Sequence, residues 1–189
     1  MSFNRQYFKL FLFTFIICAC DENKHVKSYR LPKTNFNVSE NQVPKDIPKN
    51  VKGIGWDLPQ AWVPSDGHSM RLASFDVPYS NGVGDLSIVS LSGESGGLVA
   101  NVNRWRRQID LESIDEEEIL ASAVNGNSRM GPFRLFRLVN DSNKVKAILA
   151  AVLPSGGKTF FIKLTASEQG INELRFSFME FCSSIGEAK

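Results

Sequence analysis

The chain has 189 residues, with 22 Lys and Arg against 20 Asp and Glu, two His and three Cys. Hydrophobic residues make up 42% and charged residues 22%, which excludes a wholly unfolded chain, and the length fits one domain with tails. Three cysteines cannot frame a disulfide scaffold, two histidines leave little for a metal cage, and a net charge of +2 is no footprint for nucleic acid.

Arg5 and Lys9 precede an uncharged apolar run over residues 10–19, about half the roughly twenty residues that a membrane-spanning helix needs. A short apolar stretch behind a basic flank predicts a secretory signal peptide, residues 1–19, rather than a spanning anchor. The run ends Ile17-Cys18-Ala19-Cys20, just where polar residues begin at Asp21. That tetrapeptide resembles the bacterial lipoprotein box, with Cys18 an unusual occupant of its second place. The resemblance implies cleavage before Cys20, a diacylglyceryl thioether on its sulfur and an acylated N-terminus, hence a lipid-anchored protein of the bacterial cell envelope. Each buried acyl methylene contributes about 0.8 kcal/mol, and two or more chains hold stably. Asp21 resembles an inner-membrane retention signal. Loss of residues 1–19 removes Arg5 and Lys9 and no acid, so the mature charge points to no anionic partner.

Residues 20–50 carry few apolar side chains, and Pro32, Pro44 and Pro48 each disfavour helix at the preceding residue. Such a stretch cannot bury enough surface to offset its ordering entropy, and it reads as a tether with a root-mean-square reach of roughly 30 Å.

Residues 51–185 read as a single α+β domain, followed by a tail over 186–189. Trp62 is expected to plug one end of the core. Alternation predicts strands over residues 70–77 and 85–91, joined by a turn at Asn81-Gly82-Val83-Gly84. After a glycine-rich corner, residues 93–97, the spacing of Leu98, Val102, Trp105 and Ile109 predicts an amphipathic helix. Ser113-Ile114-Asp115-Glu116 matches a capping box and predicts a second, short helix ending at Asn125-Gly126-Asn127. Strands are expected over residues 133–139, 145–153 and 159–164, then a closing helix on Ile171, Leu174, Phe178, Phe181 and Ile185. Connections this short require antiparallel neighbours, so the expected architecture is a mainly antiparallel sheet flanked by helices, in the order ββααβββα.

Gly93-Glu94-Ser95-Gly96-Gly97 matches the nucleophile elbow G-x-S-x-G and resembles the run around the chymotrypsin-like nucleophile, with Glu for Asp. A serine needs a base, however. The hydrolase order needs a histidine after Ser95, and none follows His68; His68 lies too close upstream for the protease order. The glycines alone account for a tight strand-to-helix turn. The same corner can attract an anion through free N–H groups, and the helix behind it is dense in polar residues. Gly96, Gly97, Asn101, Asn103, Arg104, Arg106 and Arg107 are therefore the candidates for contact with a ligand or partner. Arg104 and Gln108 share a helix face, and the alternative is a solvated face whose arginines pair with Glu116, Glu117 or Glu118 and cap carbonyls. No zinc spacing joins His25, His68, Cys20 and Cys182, and the acids at 115–118 suit a helix dipole. No metal, cofactor or catalytic set is expected, and no nucleic-acid partner.

Residues 93–108, with Phe160-Phe161-Ile162-Lys163-Leu164-Thr165 and the Phe178-x-x-Phe181 helix, resemble a family of bacterial envelope lipoproteins. Its members carry a Gly-Gly corner, then Asn-x-Asn-Arg-Trp-Arg, then a Phe-Phe-x-Lys-Leu-Thr strand. The resemblance covers most of residues 56–185 and bears on domain limits. More weakly, the element order resembles the Mog1/PsbP-like α/β/α sandwich, which implies an accessory or binding protein. The expected function is a lipid-anchored, non-catalytic binding or accessory module for a partner protein or small anionic ligand. The alternatives are a serine hydrolase at Ser95 and a structural spacer.

Overall fold

A computed structural model describes residues 50–51, 53–67, 70–94 and 96–188, all within the unit Val43–Lys189. The expected signal peptide, Cys20 and most of the tether lie outside the described residues, as do His68 and Ser95. In chain order the described elements are β1 (Asn50–Val51), β2 (Ile54–Gly55), β3 (Val63–Pro64), β4 (Ala73–Tyr79), β5 (Gly82–Ser92), α1 (Gly97–Arg107) and α2 (Glu116–Ser122). There follow β6 (Val124–Ser128), β7 (Gly131–Asn140), β8 (Asn143–Ser155), β9 (Lys158–Ala166), α3 (Glu168–Ser184) and β10 (Gly186–Glu187).

The larger sheet has the order β3-β4-β5-β9-β8-β7-β6, antiparallel throughout. A small sheet, β1-β2-β10, joins the start of the described chain to its end. The architecture is α+β, a mainly antiparallel sheet with helices on both faces.

Strand β8 explains why both faces are covered. Residues 147–153 are apolar without a break, as in strands buried on two sides. Ala147, Leu149, Ala151 and Leu153 join one core with Phe75, Leu86, Ile162 and Leu164, and α3 lays Ile171, Leu174, Phe178 and Phe181 over it. Trp62 closes one end as expected, its ring 5.1 Å from Phe181, while Trp56 packs edge-on to Phe75 at 5.7 Å. Ile148, Ala150 and Val152 point the other way, where Val102 and Trp105 of α1, Ile109 just beyond it and Ile119 of α2 cover them. Near the helices that face is apolar, and Val89 and Leu91 of β5 add to it. On β4 and β5 it carries Ser74, Asp76, Asp85 and Ser87.

Three expectations are corrected. The β4–β5 turn is Ser80 and Asn81, with Tyr79 opposite Gly82, so Gly82 and Gly84 belong to the strand. A side chain at Gly84 would press Leu164 Cδ1 at 2.8 Å, so its bareness serves packing. Helix α2 starts two residues after the expected cap, with Asp115 as N-cap, its Oδ1 accepting from the Glu118 N–H at 2.9 Å. Asn125-Gly126-Asn127 does not merely end a helix but forms β6. Gly126 lies opposite Phe133, whose ring fills the space of its missing Cβ.

Cys182 is buried on α3, and burial pushes its thiol pKa far up. Peptide mapping is expected to find Cys182 unlabelled by a bulky thiol reagent in the folded protein and labelled rapidly in denaturant. Equal rates in the two states would contradict this placement.

Candidate functional site

The glycine corner does what its composition predicts. Gly93, Gly96 and Gly97 adopt φ of +63°, +85° and +79°, a region that side chains disfavour, and they turn the chain from β5 into α1. The Gly93 N–H donates to Gly157 O at 2.9 Å, and Thr159 Oγ1 donates to Gly93 O at 2.7 Å, which ties the corner to the β8–β9 turn.

The polar stripe behind it is divided. Asn101 and Asn103 are only 2% and 8% exposed, so neither amide faces solvent. Asn101 Nδ2 donates to Gly97 O at 2.7 Å. Asn103 holds Ile114 from both sides, Nδ2 donating to Ile114 O at 2.8 Å and Oδ1 accepting from Ile114 N at 3.0 Å. The connection after α1 is therefore tied back to the helix at Ile114, while Asn140 of β7 holds its start through Ile109 O and Asp110 O at 3.0 and 3.1 Å, and the helix is covered on more than one stripe. Arg106 Nε donates to Glu112 O at 2.7 Å, and Arg107 to Ser113 Oγ at 3.3 Å. The arginines thus brace the connection rather than pair with Glu116, Glu117 or Glu118. Arg104 is exposed, and its guanidinium makes no hydrogen bond or ion pair with another described residue. Of the candidates, Gly97 borders a cleft, Gly96 supplies the turn, and the rest are divided between internal bracing and this one open guanidinium.

The cleft, of about 690 Å³, opens at the N-terminal end of α1. Leu98 and Val99 of α1, Leu120 of α2, and Val152, Pro154 and Phe161 of the sheet give it apolar walls. Glu94, Glu116 and Arg134 bring charge to it, and Asn125, Gly126 and Asn127 of β6 form its outer border. Strand β6 is the sheet's last strand, largely exposed, with β7 as its sole backbone partner among the described residues. It has no Pro, Lys, charge or bulge, the usual devices that protect an edge. The opposite edge, β3, is two residues long and ends in Pro64. A polar Asn-Gly-Asn run does not alternate, so sequence reasoning missed this strand. The available signal was the following Gly131-Pro132, a turn mark that opens β7 after a two-residue loop.

A second polar constellation lies at the C-terminal end of α1. Ser74, Ser87 and Lys163 form one cross-strand row on the part of the sheet beyond the helices, where Gly67 and Arg71 lie against Ser74. Arg71 grips Asp85 with two hydrogen bonds of 2.7 and 2.9 Å and reaches Ser74 Oγ at 3.2 Å. The hydrogen bond to Asp85 raises the Arg71 pKa. Lys163 is half-buried, and its Nζ donates to Gln108 Oε1 at 3.0 Å. Burial lowers the Lys163 pKa, the nearby Arg71 and Lys146 charges push it the same way, and Asp85 opposes them. Sequence reasoning placed Gln108 beside Arg104 on one helix face but did not connect that face to Lys163.

Among the described residues no three or more His, Cys, Asp or Glu side chains are placed to hold a metal ion, and no helix is long and apolar enough to cross a membrane. No family model matches the chain, and no curated protein matches it. Solved structures resemble it at low identity. One is a Bacteroides thetaiotaomicron protein (14% identity, 72% of this chain and 45% of that one, TM-score 0.43), so the chain spans less than half of that protein. Another is the cyanobacterial PsbP, CyanoP, from Synechocystis (16%, 72% and 87%, TM-score 0.47). A third is LpqN, described as involved in cell envelope biogenesis of Mycobacterium tuberculosis (11%, 73% and 86%, TM-score 0.40).

Proposed function

We propose that the chain is a lipid-anchored accessory protein of the bacterial cell envelope, non-catalytic, which captures an extended segment of a partner protein. The observation that carries this reading is the open β6 edge beside an apolar cleft. An added strand would pair its backbone with β6, and its alternate side chains would enter the cleft. Those side chains are apolar, to match Leu98, Val99 and Leu120. A second copy of β6 fits poorly, because it would turn Asn125 and Asn127 toward those apolar walls. Lipid on Cys20 would keep the module at the membrane where its partner resides.

A photo-crosslinking residue at position 125 is expected to give an adduct with a distinct envelope polypeptide. The same residue at Phe176, 73% exposed on α3, is expected to give none. Equal adducts from both positions, or an adduct of two copies alone, would overturn the capture surface. Palmitate-analogue labelling should disappear in Cys20→Ser, and the protein should then leave the membrane fraction; retention of both would overturn the anchor. Fluorophosphonate labelling that vanishes in Ser95→Ala would overturn the non-catalytic reading.

A further inference from the structure

We propose that the sheet surface around Lys163, beside the C-terminal end of α1, binds a small oxyanion, a phosphate or carboxylate group, with Lys163 as its main ligand and Arg71 and Lys146 beside it. This site is separate from the β6 cleft and does not depend on it. The argument begins with an imbalance of charge. Lys163 is half-buried yet makes no ion pair among the described residues; its recorded partner is the neutral amide of Gln108 at 3.0 Å. The charges acting on it are Arg71, Lys146 and Asp85. Both oxygens of Asp85 are already held by Arg71 at 2.7 and 2.9 Å, so the one carboxylate acting on Lys163 is shared with a second cation.

The surroundings supply the remainder of a site. Ser74 and Ser87, both buried, share the cross-strand row with Lys163 and make the floor polar, their hydroxyls held within the row: Ser74 Oγ accepts from Arg71 at 3.2 Å and Ser87 Oγ donates to Lys163 O at 3.5 Å. Arg104 stands one helical turn before Gln108 on the same face of α1, exposed and its guanidinium without a described partner, and adds a further cation at the border. Asp76, opposite Asp85 and exposed, is the other carboxylate on this face of β4 and β5. Acting on Lys163 are two cations, Arg71 and Lys146, against one carboxylate, Asp85, which leaves a local excess of positive charge around an ammonium with no ion pair among the described residues. A bound oxyanion would restore to Lys163 the charged partner that burial makes valuable, by charge-assisted hydrogen bonds.

The test is a backbone NMR titration of the full chain in detergent, with inorganic pyrophosphate and, separately, co-sedimentation with phosphatidylglycerol vesicles. Saturable shifts are expected on residues 85–87, 104–108 and 163–165. Lys163→Gln should weaken binding about tenfold or more, and Lys163→Arg should largely retain it. Lys146→Gln, at an exposed position that cannot unfold the domain, should weaken binding by a smaller factor, and Lys158→Gln at the far end of β9 should leave it unchanged. A response to vesicles alone, lost in Lys163→Gln, assigns the anion to a lipid headgroup; a response to pyrophosphate assigns it to a free ligand. Shifts scattered over the surface, equal affinity in Lys163→Gln, or no response to either probe would overturn the proposal. None of these outcomes bears on crosslinking at position 125.

Discussion

Phe181→Ala is expected to destabilise the domain by about 3–5 kcal/mol, the largest effect of any single side chain described above. Phe181 is buried at the end of the first core, with ring centroids 5.1 Å from Trp62, 6.0 Å from Phe75 and 6.3 Å from Trp56. Truncation would remove the shared partner of three aromatic rings anchored on different segments, so the cavity cannot close by moving one of them. In thermal unfolding this corresponds to a fall of roughly 10–20 °C. Phe181→Leu keeps most of the volume and should cost under about half as much. A loss below about 1.5 kcal/mol in Phe181→Ala would mean that the tryptophans are held by something other than this ring.

Asn103→Ala is expected to cost about 2–4 kcal/mol, because it strands two backbone groups at once. The Ile114 N–H and C=O both bond to the Asn103 amide, at 3.0 and 2.8 Å, in a partly buried position that water reaches poorly. Hydrogen exchange at Ile114 and through the first turn of α2 should rise, while exchange in β4 and β5 stays as it was. Were Asn103 a ligand contact on an exposed face, the same change would leave stability within about 0.5 kcal/mol and alter only binding.

These two residues illustrate what the sequence could reveal. Phe181 was legible because Ile171, Leu174, Phe178 and Phe181 recur at helical steps, and such a period survives whatever the helix packs on. The unbroken apolar run of β8 and the turn-rich joints around it likewise specified an antiparallel sheet with both faces covered. Asn103 was misplaced because a helical wheel has one inside and one outside, whereas α1 has a sheet on one side and its own connection on another. That arrangement also moved the start of α2: with Ile114 held by Asn103, and Arg107 bonded to Ser113, the cap falls at Asp115 and the helix starts at Glu116. Strand β6 was illegible because its pairing depends on a vacancy, the missing Cβ of Gly126 that admits the Phe133 ring. The Lys163 constellation assembles from residues 71, 85, 108, 146 and 163, and no local spacing announces a meeting over such distances. The resemblance did quote Arg104 and Lys163 in its two signature runs, which Trp105 and Phe161 bring together edge-to-face at 5.9 Å.

The small sheet has a mechanical consequence. A pull applied at Asn50 would first meet the two-residue pairing of β1 with β2, Asn50 opposite Gly55 and Val51 opposite Ile54. In that hairpin geometry the bonds part in succession, like a zip, instead of sharing the load. Tugging there would thus free a few residues before any strain reached Trp56 and the aromatic plug.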